Sequence, residues 1–229
     1  MAVTQKELAF MREALPFWNQ LTQRQQTVLE QSVSSSSYKK GQRLHDGAQD
    51  CMGLILVLSG HLRAFILSDS GKEITIYRLF ERDICIFSAS CMLKNISFDI
   101  YIEAAEDSRI LLIPTAVYNE LNQTCLAVSN FTSQLISSRF SDVMWVMEQV
   151  LFMSFDRRLA NFLLEQSVIA GSSTFSTTHE TIAKNLGSAR EVVTRMLKYF
   201  QSEGMVSLAR GGITITDPKK LEKLLQFDK

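Results

Sequence analysis

The chain has 229 residues, with 24 Lys and Arg against 24 Asp and Glu, and is 46% hydrophobic and 21% charged, the composition of a globular protein with length enough for two cores. That balance excludes a disordered polyelectrolyte and a fibrous repeat, and the longest apolar run, Cys51 to Leu58, is far too short to cross a bilayer. The opening "MAVTQKELAFMREALPFW" has charges where a signal peptide needs an apolar centre, which predicts a cytoplasmic protein without a membrane partner.

In chain order, residues 5–31 read as one or two helices, with Leu8, Met11 and Leu15 on one stripe and Leu21, Val28 and Leu29 on another. "SVSSSS" (Ser32 to Ser37) is the one low-complexity stretch. From Tyr38 to Pro114 the pattern becomes short runs, "LILVLSG", "HLRAFIL", "EITIYRLF", "DIYIEAA" and "RILLIP", separated by turn signals at Lys40-Gly41, His45-Asp46-Gly47, Ser59-Gly60 and Asp69-Ser70-Gly71. Short strands at about ten-residue spacing with glycine turns predict a barrel or sandwich. Beyond Val117 the turn signals vanish, and Val128, Phe131, Leu135, Phe140, Val143, Met144, Met147, Val150 and Leu151 recur at steps of three and four. This predicts one helix over 126–152, about 40 Å long at about 1.5 Å per residue. A helix of that length either packs on a copy of itself or joins two domains; Trp145 can lie on either surface.

A second domain begins near "MSFDRRLANFLLEQ", where Ser154 is placed to cap a helix carrying Leu159, Phe162 and Leu163. "AGSSTFSTT" breaks that pattern, and the remainder reads helix, turn, helix, then a hairpin of "VSLAR" and "ITITD" around Gly211-Gly212. Thr177 with Glu180 and Ser188 with Glu191 have capping-box spacing, so each helix of the pair has a start signal. Between them "NLGS" offers Gly187 for the positive φ of a sharp turn. Ile182, Ala183 and Leu186 would face Val192 or Val193, Met196 and Leu197, with Ala183 small at the crossing. Together these features describe a helix-turn-helix. Charge agrees in sign: residues 154–229 hold 11 Lys and Arg against 8 Asp and Glu, leaving 13 against 16 for residues 1–153.

"TIAKNLGSAREVVTRMLKYFQSEGMV", with "GLILVLSGHLRAFIL" and the long intervening helix, resembles the CRP/FNR family of bacterial transcription regulators over almost the whole chain. Its β-roll part rests on Gly41, Gly60 and Gly71 at the family's turns. The resemblance implies an α+β architecture. Residues 1–125 would hold N-terminal helices and an effector-sensing β-roll, a jelly roll of the cyclic-nucleotide-binding type. Residues 126–153 would be a dimerisation helix, and residues 154–229 a winged helix-turn-helix domain. It also implies no enzymatic activity, with double-stranded DNA, a second copy of the chain and RNA polymerase as partners.

On the second helix of the pair, Arg190, Glu191, Thr194 and Arg195 share a side opposite Val193, Met196 and Leu197. Arginine bonds bidentately to guanine and glutamate accepts from the cytosine amino group, so these four are the candidate base-reading residues, and "RE" plus "R" favours G·C pairs. At these positions the chain is closer to the cyclic-AMP receptor branch of the family than to its oxygen-sensing branch. Glu191 is open between base contact and capping of Ser188. Thr178, Lys184, Ser188, Lys198 and the wing residue Arg210 are candidates for phosphate contacts, which position without reading sequence; each alone also suits an ordinary surface role.

The sensor departs from the family. Cyclic-nucleotide binders of this type have a Gly-Glu-Leu turn and an Arg-Ser/Thr-Ala segment whose Arg pairs the cyclic phosphate. This chain has Arg82-Asp83-Ile84 and Phe98-Asp99-Ile100 instead, which argues against cyclic AMP, although Arg82 could support another anion. No cysteine precedes Cys51, which argues against the iron–sulfur cluster of the oxygen-sensing branch. The four cysteines, Cys51, Cys85, Cys91 and Cys125, are too scattered for a disulfide framework. Cys85 and Cys91 in "CIFSASC" would stand about 20 Å apart on a straight strand and meet only if the segment folds back. Buried structural cysteines are the simpler interpretation; haem or thiol redox chemistry stays open. Arg82, Asp83, Cys85, Cys91 and Asp99 form the candidate effector pocket, no metal site is assigned, and His45 and His61 are expected at the surface. A β-roll sensor whose helical domain binds protein instead of DNA is the alternative. Exposed Arg190, Glu191, Thr194 and Arg195 beside a wing favour DNA, and no nucleophile motif, metal-ligand pair or phosphate loop supports an enzyme.

Overall fold

The computed structural model describes residues 3–47, 52–88 and 99–226, and the chain divides into two compact units, 1–67 with 76–143 and 68–75 with 144–229.

Two short helices open the first unit, α1 (Gln5–Ala14) and α2 (Gln23–Ser32). Thr4 and Thr22 cap them, each accepting from the backbone N–H three residues on while Glu7 and Gln25 reach back, so both starts are written in threonine-x-x-acid/amide boxes. Strands β1 (Ser34–Tyr38), β2 (Arg43–Asp46), β3 (Leu54–Ser59), β4 (Leu62–Leu67), β5 (Glu73–Leu79), β6 (Ile84–Cys85), β7 (Tyr101–Ala104) and β8 (Ser108–Ile113) follow. They form two four-stranded sheets, ordered β1-β8-β3-β6 and β2-β7-β4-β5, which share one core containing Leu54, Leu56, Leu62, Ala64, Ile102 and Leu111, all fully buried. Apart from β4 and β5, which are neighbours in one sheet, consecutive strands alternate between the two sheets, the jelly-roll arrangement.

The five apolar runs of the sequence became β3, β4, β5, β7 and β8. Most of the low-complexity serine run is β1, paired with β8 from Ser34 opposite Leu112 to Tyr38 opposite Ser108. Pairing with β8 satisfies the backbone groups along one edge of this strand, and the buried Ser35 hydroxyl donates to Glu7 Oε1 at 2.7 Å. Glu7 also accepts from Arg109 at 2.6 Å. Burial pushes its carboxyl up, but hydrogen bonds from Thr4 and Ser35 and the Arg109 charge outweigh this and hold it below the ordinary glutamate value. At Gly60 (φ 77°) a Cβ would stand 2.6 Å from the Asp107 carbonyl, so only glycine makes that turn.

Helix α3 (Thr115–Thr124) leads into α4 (Leu126–Phe152), the 27-residue helix expected from the periodicity. Tyr118 and Thr132 hydroxyls meet at 2.7 Å and Phe17 packs on Phe131 at 5.3 Å between ring centres, which seats the first half of α4. Farther along, Phe140, Met144, Trp145, Met147, Val150, Leu151 and Phe152 are exposed.

The second unit contains α5 (Phe155–Ala170), β9 (Thr174–Ser176), α6 (His179–Leu186), α7 (Arg190–Ser202), β10 (Val206–Ala209), β11 (Gly212–Ile215) and α8 (Pro218–Leu225). Its core gathers Leu159, Leu163, Ile182, Val193, Leu197, Phe200 and Leu221, each fully buried. The sequence "AGSSTFSTT", read as a break, contains β9, whose Phe175 is buried and which adds a third strand beside β11. Among the described residues no helix is long and apolar enough to cross a membrane.

Candidate nucleic-acid interface

Gly187 ends α6 in the left-handed region (φ 63°, ψ 36°), with its N–H and that of Ser188 both bonded to the Ala183 carbonyl. That closes the turn the sequence predicted. The helix starts differ from the expected capping boxes by one residue. Thr178, not Thr177, caps α6, its hydroxyl accepting from Thr181 N at 3.0 Å. Ala189, not Ser188, is the N-cap of α7, with no side-chain cap. Glu191 therefore falls at the second helical position, where it cannot close a box, and its earlier ambiguity ends: no hydrogen bond or ion pair engages its side chain among the described residues. Likewise Ser154 precedes α5 without a side-chain cap bond.

Helix α7 separates its chemistry cleanly. Val193, Leu197 and Phe200 are fully buried, while Arg190, Glu191, Arg195 and Lys198 are exposed and Thr194 is half-buried. Arg190, Thr194 and Lys198 follow at four-residue steps with Glu191 and Arg195 beside them, and these five line one open depression. The side chains of Arg190, Arg195 and Lys198 make no ion pair or hydrogen bond among the described residues, so three cations are presented to solvent from one helical face. Among the described residues no ion pair neutralises them, the arrangement that attracts a polyanion.

The other candidate contacts differ in availability. Arg210 is exposed at the tip of the β10–β11 hairpin, beside Gly211 at φ 79°. Lys184 Nζ lies 3.5 Å from Glu73 Oε1, in the 68–75 segment that belongs to this unit, where Ile74 bridges Leu186 and Thr75 donates to Asn185. Thr178 uses its hydroxyl as a cap, and Ser188 is half-buried.

A residue that sequence reasoning passed over joins this face. His179, the first residue of α6, has Nδ1 2.8 Å from Thr194 Oγ1. Burial, then the positive charges of Arg190 and Lys198, hold its pKa below the ordinary histidine value. A histidine at a helix start fifteen residues from its partner carries no local sequence signal; only the crossing of α6 and α7 brings the two together.

The described candidate effector residues, Arg82, Asp83, Cys85 and Asp99, each engage a different partner. Arg82 occupies the left-handed region (φ 74°), where the resembled turn has glycine. Its guanidinium is held by Glu13 at 3.1 Å and lies over Phe10 at 5.0 Å, both on α1. Asp83 accepts from the Phe80 N–H at 2.8 Å, closing its own turn. The Asp99 side chain lies against Gly47, 3.2 Å from where a Cβ would stand. Cys91, with Cys51 and Phe98, lies outside the described residues. Cys85 points inward: its Sγ is 3.5 Å from the Tyr77 hydroxyl, and Arg139 of α4 lies 4.6 Å over the Tyr77 ring. Burial first, and Cys85 next, push the Tyr77 hydroxyl well above its ordinary pKa. His45, expected at the surface, is buried at 1% exposure on β2, because an inward-facing strand position outweighs the adjoining turn. His61 is half-buried, pairs with Glu106 at 3.0 Å and stacks on Phe80.

Residues 157–224 match the Crp-like helix-turn-helix domain. A solved structure of a transcriptional regulator ascribed to the CRP/FNR family, from Eubacterium rectale, is 48% identical, covers 93% of this chain and 99% of that one, and superimposes with a TM-score of 0.90. Regulatory protein HlyX of Actinobacillus pleuropneumoniae is 26% identical over 210 residues, 88% of this chain and 85% of that protein. FixK2 of Bradyrhizobium japonicum shares the fold at a TM-score of 0.68 and 17% identity, over 86% of this chain and 99% of its own.

Proposed function

Because the chain belongs to the CRP/FNR family of transcription regulators, we propose that it acts in the cytoplasm as a homodimer, binding a palindromic DNA site through two copies of α7. The observation that carries this is the α7 face, where Arg190, Glu191 and Arg195 are exposed around Thr194 on a helix whose other side, Val193, Leu197 and Phe200, is locked in the core. Arg190 and Arg195 donate to guanine edges, Glu191 accepts from a cytosine amino group, and Thr194 contacts whichever base lies between them. Lys198 and Arg210 hold phosphates, with Thr178 and Ser188 at the groove margin. Lys184 reaches DNA only by leaving Glu73.

The apolar side of α4 supports the dimer, with residues 126–153 as its helix between a sensing domain at 1–125 and a DNA-binding domain at 154–229. RNA polymerase is the partner through which the bound dimer regulates. The signal enters the β-roll: Tyr77 and Cys85 meet Arg139 of α4 there, so chemistry at that thiol, or an effector beside it, bears directly on the dimer helix. Arg82 and Asp99 do not supply a cyclic-phosphate clamp, since one is engaged by α1 and the other is an acid.

Selection of bound duplexes from a random pool tests the proposal. It should return a palindrome rich in G·C, with half-sites about 34 Å apart, one DNA turn. Recovery of no sequence above background would contradict it and favour a protein partner for α6 and α7.

A further inference from the structure

The hydroxyl of Thr194 has two oxygen- or nitrogen-bearing neighbours and one proton. It donates to the Arg190 carbonyl at 2.9 Å, an acceptor that can give nothing back. The 2.8 Å contact with His179 is then a hydrogen bond only if Nδ1 carries a proton and donates to Thr194 Oγ1. A neutral imidazole with its proton on Nδ1 has a bare lone pair on Nε2. Nε2 has no hydrogen-bond partner among the described residues, and the ring is half-buried. The groups facing it from α7 are Arg190 and Lys198, both cations; Glu180 and Lys184 of its own helix make no ion pair with it. So the free protein has every reason to keep this ring neutral, and a neutral ring presents a lone pair to whatever lies outside.

On the DNA-binding reading above, what lies outside is the phosphate backbone beside the groove entered by α7. A lone pair facing a phosphate oxygen repels it, whereas an imidazolium donates a charge-assisted hydrogen bond to it. We propose that His179 is a proton-gated phosphate contact: on binding DNA it takes one proton from solvent onto Nε2 while Nδ1 keeps its bond to Thr194, so affinity for DNA is linked to pH and the linkage orients a base-reading side chain. The sign follows directly. Burial and then the facing cations lower the ring's pKa in the free protein, and the phosphate raises it in the complex. The added affinity is therefore fully present below the free-state pKa and is lost as pH rises through the complex-state pKa. One unit of difference changes affinity about tenfold per half-site.

The test compares the full chain with His179→Gln and His179→Arg on the selected palindrome between about pH 6 and about pH 8 at fixed salt. The parent should weaken about tenfold or more across that range, His179→Gln should bind weakly and without the pH dependence, and His179→Arg should bind tightly throughout. A parent profile as flat as that of His179→Gln would overturn the proposal while leaving the DNA-binding reading standing; absence of any selected palindrome would overturn the reading and the proposal with it. Nitrogen-15 spectra of the free protein give an independent check. They should show the His179 proton on Nδ1 above its pKa, and a proton on Nε2 in the neutral ring would contradict the proposal without recourse to DNA.

Discussion

Helices α7 and α4 each turn one side to solvent, and the two sides are chemical opposites. α7 buries Val193, Leu197 and Phe200 completely and shows Arg190, Arg195 and Lys198 outside. Its apolar face is satisfied within its own unit, and what remains is a charged surface. In α4, among the described side chains only Val128 and Thr132 are buried, and Ile136, Phe140, Met144, Met147 and Leu151 form an exposed apolar stripe, with Phe140 at 64% and Leu151 at 62%. A charged face is stable in water and waits for an opposite charge. A contiguous apolar face of this length is not normal for a monomer and calls for an apolar partner. Its three-and-four spacing fits the same helix of a second copy.

That contrast breaks first at α4. Phe140→Glu with Leu151→Glu should convert a dimer to a monomer in sedimentation, and affinity for the palindrome should fall by at least about a hundredfold as the two recognition helices lose their link. A double variant that sediments as a dimer would show that this stripe is covered by something else.

Changes at the turn and caps beneath α7 should act on stability more than on association. Gly187→Ala forces a Cβ into the left-handed region 3.4 Å from Ile74 and should cost at least about 1 kcal/mol in urea unfolding. Thr178→Ala removes the working cap of α6 and should cost about 1 kcal/mol. Ser188→Ala should stay within about 0.5 kcal/mol, since Ser188 caps nothing. An equal loss for Ser188→Ala and Thr178→Ala would show that Ser188 starts α7 after all.

The two helices were legible in the sequence for the same reason: each carries a long three-and-four periodicity, and Gly187 marks the turn between α6 and α7. Extent was therefore easier to read than detail. The caps slipped by one residue, Thr178 for Thr177 and Ala189 for Ser188, because neighbouring threonines and serines offer equivalent spacings and only the backbone angles choose between them. β1 hid in a serine run and β9 in a stretch of small polar residues, since their strand form comes from the partners β8 and β11 and not from apolar alternation. His179 was invisible because its meaning depends on Thr194, a neighbour across the helix crossing. The sensor was least legible of all: Arg82, Asp83 and Cys85 lie within four residues, yet Arg82 goes to α1, Asp83 to its own turn and Cys85 to Tyr77, while Asp99 goes to Gly47.

The central claim is that the outward face of α7 reads base pairs, and Arg195→Ala tests it most directly. With parent and variant titrated at one salt concentration against the selected palindrome and each of its single-base changes, the variant should lose about 1–3 kcal/mol on the best site. It should also lose its preference at one base pair, symmetrically in both half-sites, while discrimination elsewhere is kept. Equal affinity of parent and variant, or a uniform loss with every preference intact, would contradict the assignment of Arg195 to the bases.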